Sequence, residues 1–290
     1  MKNIGLTLAV LVLTVAPCFA QYKFTKVDFP GAPQTNLFAI NNKRQYVGAS
    51  IDASGTNHAI YFDGNTLSLL NPSGVVGTNF SFALSLNLRG DIVGGYLDAS
   101  DHSHGFLYNE GNVTTIDFPG ALGTFAFGIN DLREIIGIYS DSAKVQHAFS
   151  LHNGVFKTTD LAGGIGTVPF SINDAGEVVG QYTTVANTIG HGYFEASNGE
   201  FLSYDASAAP PNSTFFISIN NLGQIVGTWV DANNLNHNFL LSLGTFRNFN
   251  VPKSYGATQV SAQTINDPGD IIGWFADAQG IQHGFLAVRK

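Results

Sequence analysis

The side chains best equipped for chemistry in this chain are histidines and aspartates, and they recur at fixed distances. His58, His104, His147, His237 and His283 each lie six residues beyond an aspartate, namely Asp52, Asp98, Asp141, Asp231 and Asp277. In one further copy His191 comes a residue later, and Thr184 replaces the aspartate. Imidazole beside carboxylate could make a general base or part of a metal site. Repetition argues against both. One histidine per repeat is too far from the next to share an ion, so a structural hydrogen bond is the simpler role. The aspartates stand in turns such as "DASG", "DANN" and "DAQG", which lack the Asp-x-Asp-x-Asp spacing of a calcium loop and read as self-capped turns. "LAGGIGT" (161–167) has no following lysine or helix pattern, so it is no phosphate loop. Neither Gly-x-Ser-x-Gly nor His-Glu-x-x-His occurs. Acid pairs of the glycosidase kind meet only in three dimensions and stay open at this point.

The elements that position these residues are repeats. Asn41, Asn87, Asn130, Asn173, Asn220 and Asn266 are spaced by 46, 43, 43, 47 and 46 residues, and seven residues after each stands a glycine, from Gly48 to Gly273. Each unit reads as four strands. The first alternates bulky and small residues, as in "TFAFGIN" (124–130), and is followed by a turn such as "NDAG" or "NDPG". Two further strands follow, then an x-Gly hairpin turn such as Glu110-Gly111 or Asn153-Gly154, then a fourth strand such as "VTTIDFPG" (113–120). Four antiparallel strands in about 44 residues is the size of a propeller blade. "FTKVDFPGA" (24–32) matches a fourth strand with no first three before it, while the last copy stops after its third strand at "HGFLAVRK" (283–290). The spacing therefore predicts an all-β, six-bladed β-propeller of four-stranded antiparallel blades, one domain over 21–290, closed by pairing 23–29 with the strand beginning at His283.

"H-A-F" at His147, Ala148 and Phe149, its variants His58-Ala59-Ile60 and His104-Gly105-Phe106, and the recurring "I-N-x-x-G-x-I-V-G" resemble the HAF-repeat family of bacterial extracellular proteins. The resemblance spans the whole chain after residue 20. It implies an extracellular location and this repeat type, and it implies no activity.

The N-terminus points the same way. Lys2, the apolar run Ile4–Val15 and then Pro17, Cys18, Phe19 and Ala20 read as a signal peptide (1–20) cleaved near Ala20, which would leave a secreted or periplasmic chain. Cleavage removes the single cysteine, so packing without disulfides must supply stability. No later stretch approaches the roughly 20 apolar residues of a membrane helix. Without Lys2, 12 basic residues face 21 acidic ones, a net charge of −9 that repels phosphate backbones and argues against nucleic acid. No cofactor motif is seen, and a monomer is expected.

In a repeat protein, residues found in every blade maintain the blade, and a ligand site should break the symmetry. The departures are therefore the binding candidates. Gln263 stands where the other copies have Phe38, Leu84, Phe127, Phe170 and Ile217, and Trp274 where they have Ala49, Gly95, Ile138, Gln181 and Thr228. Lys253 and Tyr255 belong to the loop "VPKSYGAT" (251–258), "SAAPPNST" (207–214) enlarges the preceding junction, and His102 lies in a turn beside His104. The reading is a secreted, non-enzymatic scaffold that binds an extracellular protein or glycan through the rim holding the fourth-to-first and second-to-third strand connections. The alternative is a hydrolase or lactonase with a polar or metal site in the central channel. A channel walled by the small residues Ala39, Ser85, Gly128, Ser171, Ser218 and Thr264 favours the scaffold; converging carboxylates with a cation favour the enzyme. Hairpin counting from the x-Gly turns also sets His104 opposite Asp117, His147 opposite Asp160, His237 opposite Asn250 and, through ring closure, His283 opposite Asp28. Leu70 fills the aspartate's place in the first blade.

Overall fold

The computed structural model describes residues 22–70, 81–162, 166–184, 187–205, 214–233 and 235–290. The leader (1–20), its cleavage point and most of "SAAPPNST" lie outside the described residues. Among the described residues, twenty-four strands form six four-stranded antiparallel sheets. Blade one is β2 (Gln34–Ile40), β3 (Tyr46–Ile51), β4 (Asn57–Phe62) and β5 (Leu67–Leu69); blade two is β6 (Ser81–Leu86), β7 (Ile92–Leu97), β8 (Ser103–Asn109) and β9 (Asn112–Ile116). Blade three is β10 (Gly123–Ile129), β11 (Ile135–Ser140), β12 (Gln146–His152) and β13 (Val155–Thr158). Blade four is β14 (Val168–Ile172), β15 (Val178–Thr184), β16 (Asn187–Glu195) and β17 (Phe201–Tyr204). Blade five is β18 (Thr214–Ile219), β19 (Ile225–Val230), β20 (Asn236–Ser242) and β21 (Thr245–Phe249). Blade six takes β22 (Gln259–Ile265), β23 (Ile271–Ala276) and β24 (Gln282–Arg289) from one end of the chain and β1 (Tyr22–Val27) from the other.

Ring closure follows the expected pairing: β1 lies antiparallel to β24, with Lys26 opposite Phe285 and Val27 opposite Gly284. The recurring glycine has a steric cause. Gly48, Gly94, Gly137, Gly180, Gly227 and Gly273 lie opposite Ile60, Phe106, Phe149, Tyr193, Phe239 and Phe285 of the third strand. All six partners are essentially fully buried. A Cβ on any of these glycines would overlap a carbonyl oxygen of the first strand, that of Phe125 at Gly137 for example. In blades two to six the aromatic side chain of the third strand also presses into the volume the glycine leaves, and each such burial stabilises by roughly 1.5–3 kcal/mol.

One feature of the first strand departs from simple alternation. Its register slips once in every blade, between Leu37 and Ala39, Ala83 and Ser85, Ala126 and Gly128, Pro169 and Ser171, Phe216 and Ser218, and Ala262 and Thr264. The skipped residues are Phe38, Leu84, Phe127, Phe170, Ile217 and Gln263. Such a bulge bends the strand and re-aims its side chains, and here the next residue of five blades faces the axis.

Candidate functional site

Two polar regions occupy opposite ends of the blades. The first surrounds the axis where first strands turn into second strands. Each motif asparagine uses its side-chain oxygen on its own turn: Asn130 Oδ1 accepts from the backbone N–H of Leu132 and Glu134 at 3.1 and 2.9 Å. In blade six the first of these donors is replaced by Pro268, which has no N–H, and Asn266 Oδ1 accepts from Asp270 alone at 2.8 Å. The side-chain Nδ2 reaches the next blade. Asn41 donates to the carbonyl of Asn87, Asn87 to Asn130, Asn130 to Asn173, Asn173 to Asn220, Asn220 to Asn266 and Asn266 to Asn41, all between 2.9 and 3.3 Å. Six equal links close a circle.

The following residue builds a second, incomplete circle. The side-chain oxygens of Asp131, Asp174, Asn221, Asp267 and Asn42 accept the backbone N–H of Leu88, Asp131, Asp174, Asn221 and Asp267 respectively, at 2.7–2.8 Å. Leu88 interrupts it, and Lys43 Nζ spans that junction by donating to the Leu88 carbonyl at 2.8 Å. These two circles line an axial cavity of about 90 Å³, walled further in by Ala39, Ser85, Ser171, Ser218 and Thr264. Gly128 does not line it; blade three contributes Ile129, Asn130 and Asp131. The wall hydroxyls also tie blades together. Ser85, Ser171 and Ser218 Oγ accept from Ile129, Ile219 and Ile265 N–H, and Thr264 Oγ1 donates to the Phe38 carbonyl. The expected contrast between a small-residue channel and a carboxylate channel is thus corrected, because both features occur in one cavity. Burial raises the Asp131 carboxyl above its ordinary range, and the charges of Asp174 and Asp267 push it further. No group of three or more His, Cys, Asp or Glu among the described residues is arranged to hold a metal ion.

Two blade junctions add a buried ion pair. Asp91 is fully buried and accepts from Arg133 Nε and a terminal guanidinium nitrogen at 2.8 and 3.0 Å, while fully buried Asp270 accepts from Arg44 Nε at 2.8 Å. Burial raises the Asp91 carboxyl, but Arg133 and the Asn87 amide more than offset this and hold it below the ordinary range. Arg44 and Arg133 occupy a left-handed turn position, with φ of 60° and 62°, where the other four blades place Gly90, Gly176, Gly223 and Gly269. The two arginines face the only two blades with aspartate four residues after the asparagine.

The second region lies at the opposite ends of the blades. His104, His147, His191 and His283 place Nδ1 at 2.9, 2.6, 2.8 and 2.9 Å from Asp117, Asp160, Asp205 and Asp28, just past the end of the neighbouring fourth strand. His58 and His237 instead place Nε2 at 2.9 Å from Asp52 and Asp231 of the preceding turn. For His58 this is the consequence of Leu70, which is buried where four other blades have aspartate. For His237 it corrects the expected cross-strand partner, since Asn250 Oδ1 accepts from the N–H of Val251 instead. His104, His147 and His283 also approach the turn aspartate, at 3.4–3.5 Å. Each histidine ring rests on a second-strand aromatic: Tyr96, Tyr139, Tyr182, Trp229 or Phe275 in blades two to six. The hydrogen bond that the His147 imidazole donates to Asp160 raises its pKa, against the opposing effect of burial. Backbone N–H donors, led by His102, hold Asp98 at about 2.

The five candidate binding residues do not form one cluster. His102 is exposed in the β7–β8 turn of blade two, its N–H donated to Asp98. Blade two lies across the ring from blade five, so His102 is remote from the other four. Lys253 and Tyr255 form a single 3-10 turn ended by Gly256 in the left-handed region; Lys253 is exposed, and the Tyr255 ring packs edge-on against Phe275. Gln263 is the bulge residue of β22, with Nε2 donating to Ser261 Oγ at 2.7 Å. Trp274 lies in β23 between Ser261 and Gly284, half-buried. Sequence reasoning missed the second axial circle; six registered N-x pairs in which x is mostly Asp or Asn were its signal.

No family model matches the chain, and no curated protein matches it. Solved structures do. A fungal lectin from Aleuria aurantia, described as a six-bladed β-propeller with a fucose recognition mode, aligns over 92% of each chain with a TM-score of 0.54 and 14% identity. AofleA from Arthrobotrys oligospora aligns over 92% of this chain and 86% of its own with a TM-score of 0.55 and 14% identity. TolB from Acinetobacter baumannii aligns over 88% of this chain and 63% of its own with a TM-score of 0.52 and 12% identity. The likeness is one of fold. Lectins and TolB score alike, so architecture alone does not select a ligand.

Proposed function

We propose that the chain is an exported, monomeric, non-enzymatic propeller of the HAF-repeat kind that binds an extracellular glycan or macromolecule through the rim carrying the β21–β22 and second-to-third strand connections. The observation that carries this is the division of labour between the two ends of the blades. At the axial end, asparagine amides, wall hydroxyls and aspartate oxygens are engaged in joining one blade to the next. At the rim, His102 and Lys253 are exposed. The 3-10 turn is anchored by Tyr255 on Phe275 and by Thr258 donating to the Ala276 carbonyl, and it holds Lys253 out to solvent. A turn backbone already fixed in this way has little entropy left to lose on binding. Propeller lectins such as the Aleuria aurantia protein, solved with Fucα1-6GlcNAc, make a neutral glycan the favoured class, and the acidic surface disfavours polyanions. The test is a glycan array and an envelope pull-down with purified residues 21–290. Binding should fall at least tenfold in Lys253→Ala/Tyr255→Ala, and an unchanged response removes these two residues from the rim site.

The axial carboxylates favour a second reading, a hydrolase acting in the channel. Asp131, Asp174 and Asp267 line one cavity, and the raised Asp131 carboxyl is suited to holding a proton. Turnover of lactones or aryl glycosides that disappears in Asp131→Asn would support it; no turnover in the intact chain would dismiss it.

A further inference from the structure

The junction between blades six and one breaks the repeat on both of its faces. In blade two, Gly95 leaves room for the Phe125 ring of blade three, which lies where a glycine Cβ would be. Trp274 holds the position of Gly95 in blade six, and Asn36 holds the position of Phe125 in blade one. Large and small have exchanged sides. The Asn36 side chain crosses the junction, since its Nδ2 donates to Gln282 Oε1 of β24 at 2.9 Å. Asn36 is 9% exposed, and its Oδ1 is buried and accepts no hydrogen bond among the described residues. A buried acceptor without a donor is destabilising. Gln181 Oε1 is the other such atom, but there the facing position holds Phe215, the usual aromatic filler. Trp274 is half-buried, and its indole N–H has no hydrogen-bond partner among the described residues. Gln282 begins β24 and Asn36 stands near the start of β2, so the pair lies toward the same rim as Lys253.

We infer that this junction is a subsite for one hydroxylated sugar ring, with its apolar face on Trp274 and a hydroxyl donating to Asn36 Oδ1 once the Asn36 side chain turns out of its buried position. An indole offers a flat apolar surface and a donor, and the orphaned carbonyl offers the one acceptor that a sugar hydroxyl can satisfy where an apolar ligand cannot. The inference rests on the glycan-binding reading and narrows it to one of six junctions.

The two tryptophans make the test direct. In Trp229→Phe, Trp274 becomes the only indole, and methyl glycosides of fucose, mannose, galactose and glucose are titrated while its emission is followed. A saturable change with at least one of them is expected. The double variant Asn36→Phe/Trp274→Gly imports the Gly95–Phe125 pairing, and it should fold, as judged by circular dichroism, yet lose binding on the glycan array at least tenfold. If the intact chain binds glycans while Trp274 emission stays flat or the double variant binds normally, the junction site is overturned and the broader reading stands. If the intact chain binds no glycan, the broader reading falls and the subsite with it.

Discussion

The axial ends and the rim ends of the same six blades obey different rules. At the axis the asparagine circle is complete, six links for six blades. At the rim the histidine finds its fourth-strand aspartate in four blades and settles for the turn aspartate in two. The difference is one of coupling. An axial asparagine serves its own turn and its neighbour's carbonyl at once, so its loss leaves buried groups unpaired on two blades. A rim histidine serves one blade beside solvent, and water replaces what it loses.

The sharpest way to break this comparison is the buried junction of blades two and three. Arg133→Gly leaves Asp91 charged and buried, and unfolding monitored by urea should show a loss of about 3–5 kcal/mol. Asp91→Gln/Arg133→Gly restores the Gln224–Gly269 arrangement found between blades five and six, and should recover most of that loss. A smaller effect comes from Asn130→Ala, which strands the N–H groups of Leu132 and Glu134 and the Asn173 carbonyl; about 2–3 kcal/mol is expected by the same measurement.

Smaller again is His147→Gln at the rim, at about 0.2–1 kcal/mol for a cross-strand polar pair. Its pH dependence has a definite sign. The folded imidazole is raised, so its contribution is full below the ordinary value of 6.5 and is lost as pH climbs through the raised one. Asp141 is lowered, so its contribution is present above 3.8 and is lost as pH falls through the lowered value. Wild type and His147→Gln should therefore differ most between roughly pH 4 and 6.5 and converge in alkali, as thermal melts would record. A difference that grows in alkali would mean that the histidine acts neutral. The smallest effect is a gain. Leu243 is 98% exposed at φ 49° in a hairpin turn, and Leu243→Asn should stabilise by about 0.5 kcal/mol in the same melts.

Much of this architecture was legible before any coordinates. The asparagine, glycine and histidine positions carried the blade, and the split of "FTKVDFPGA" from the last repeat carried the closure of β1 on β24. Counting from Glu110-Gly111 placed His104 opposite Asp117, because both turn residues adopt positive φ and a two-residue turn fixes register. The same count put His237 in register with Asn250, but no bond follows, since opposition across strands does not oblige two polar groups to bond when each has a local partner. The candidate site was less legible. Gln263 read as an exchange on an alternating strand, but a bulge that the hydrophobic pattern does not reveal decides where it points.

The sequence by itself determined the number of blades, their strand order, the turn types and the residues that must be small, since each of these follows from local periodicity, backbone φ and volume. Only the tertiary structure decided what the polar residues meet. Asn41 and Asn266 are 225 positions apart and bonded, Asp91 and Arg133 neutralise each other across a blade junction, three aspartates share one axial cavity, and Asn36 faces blade six with an oxygen left over. Those contacts depend on how the ring brings distant segments side by side, and spacing along the chain carries no information about the angle at which one blade meets the next.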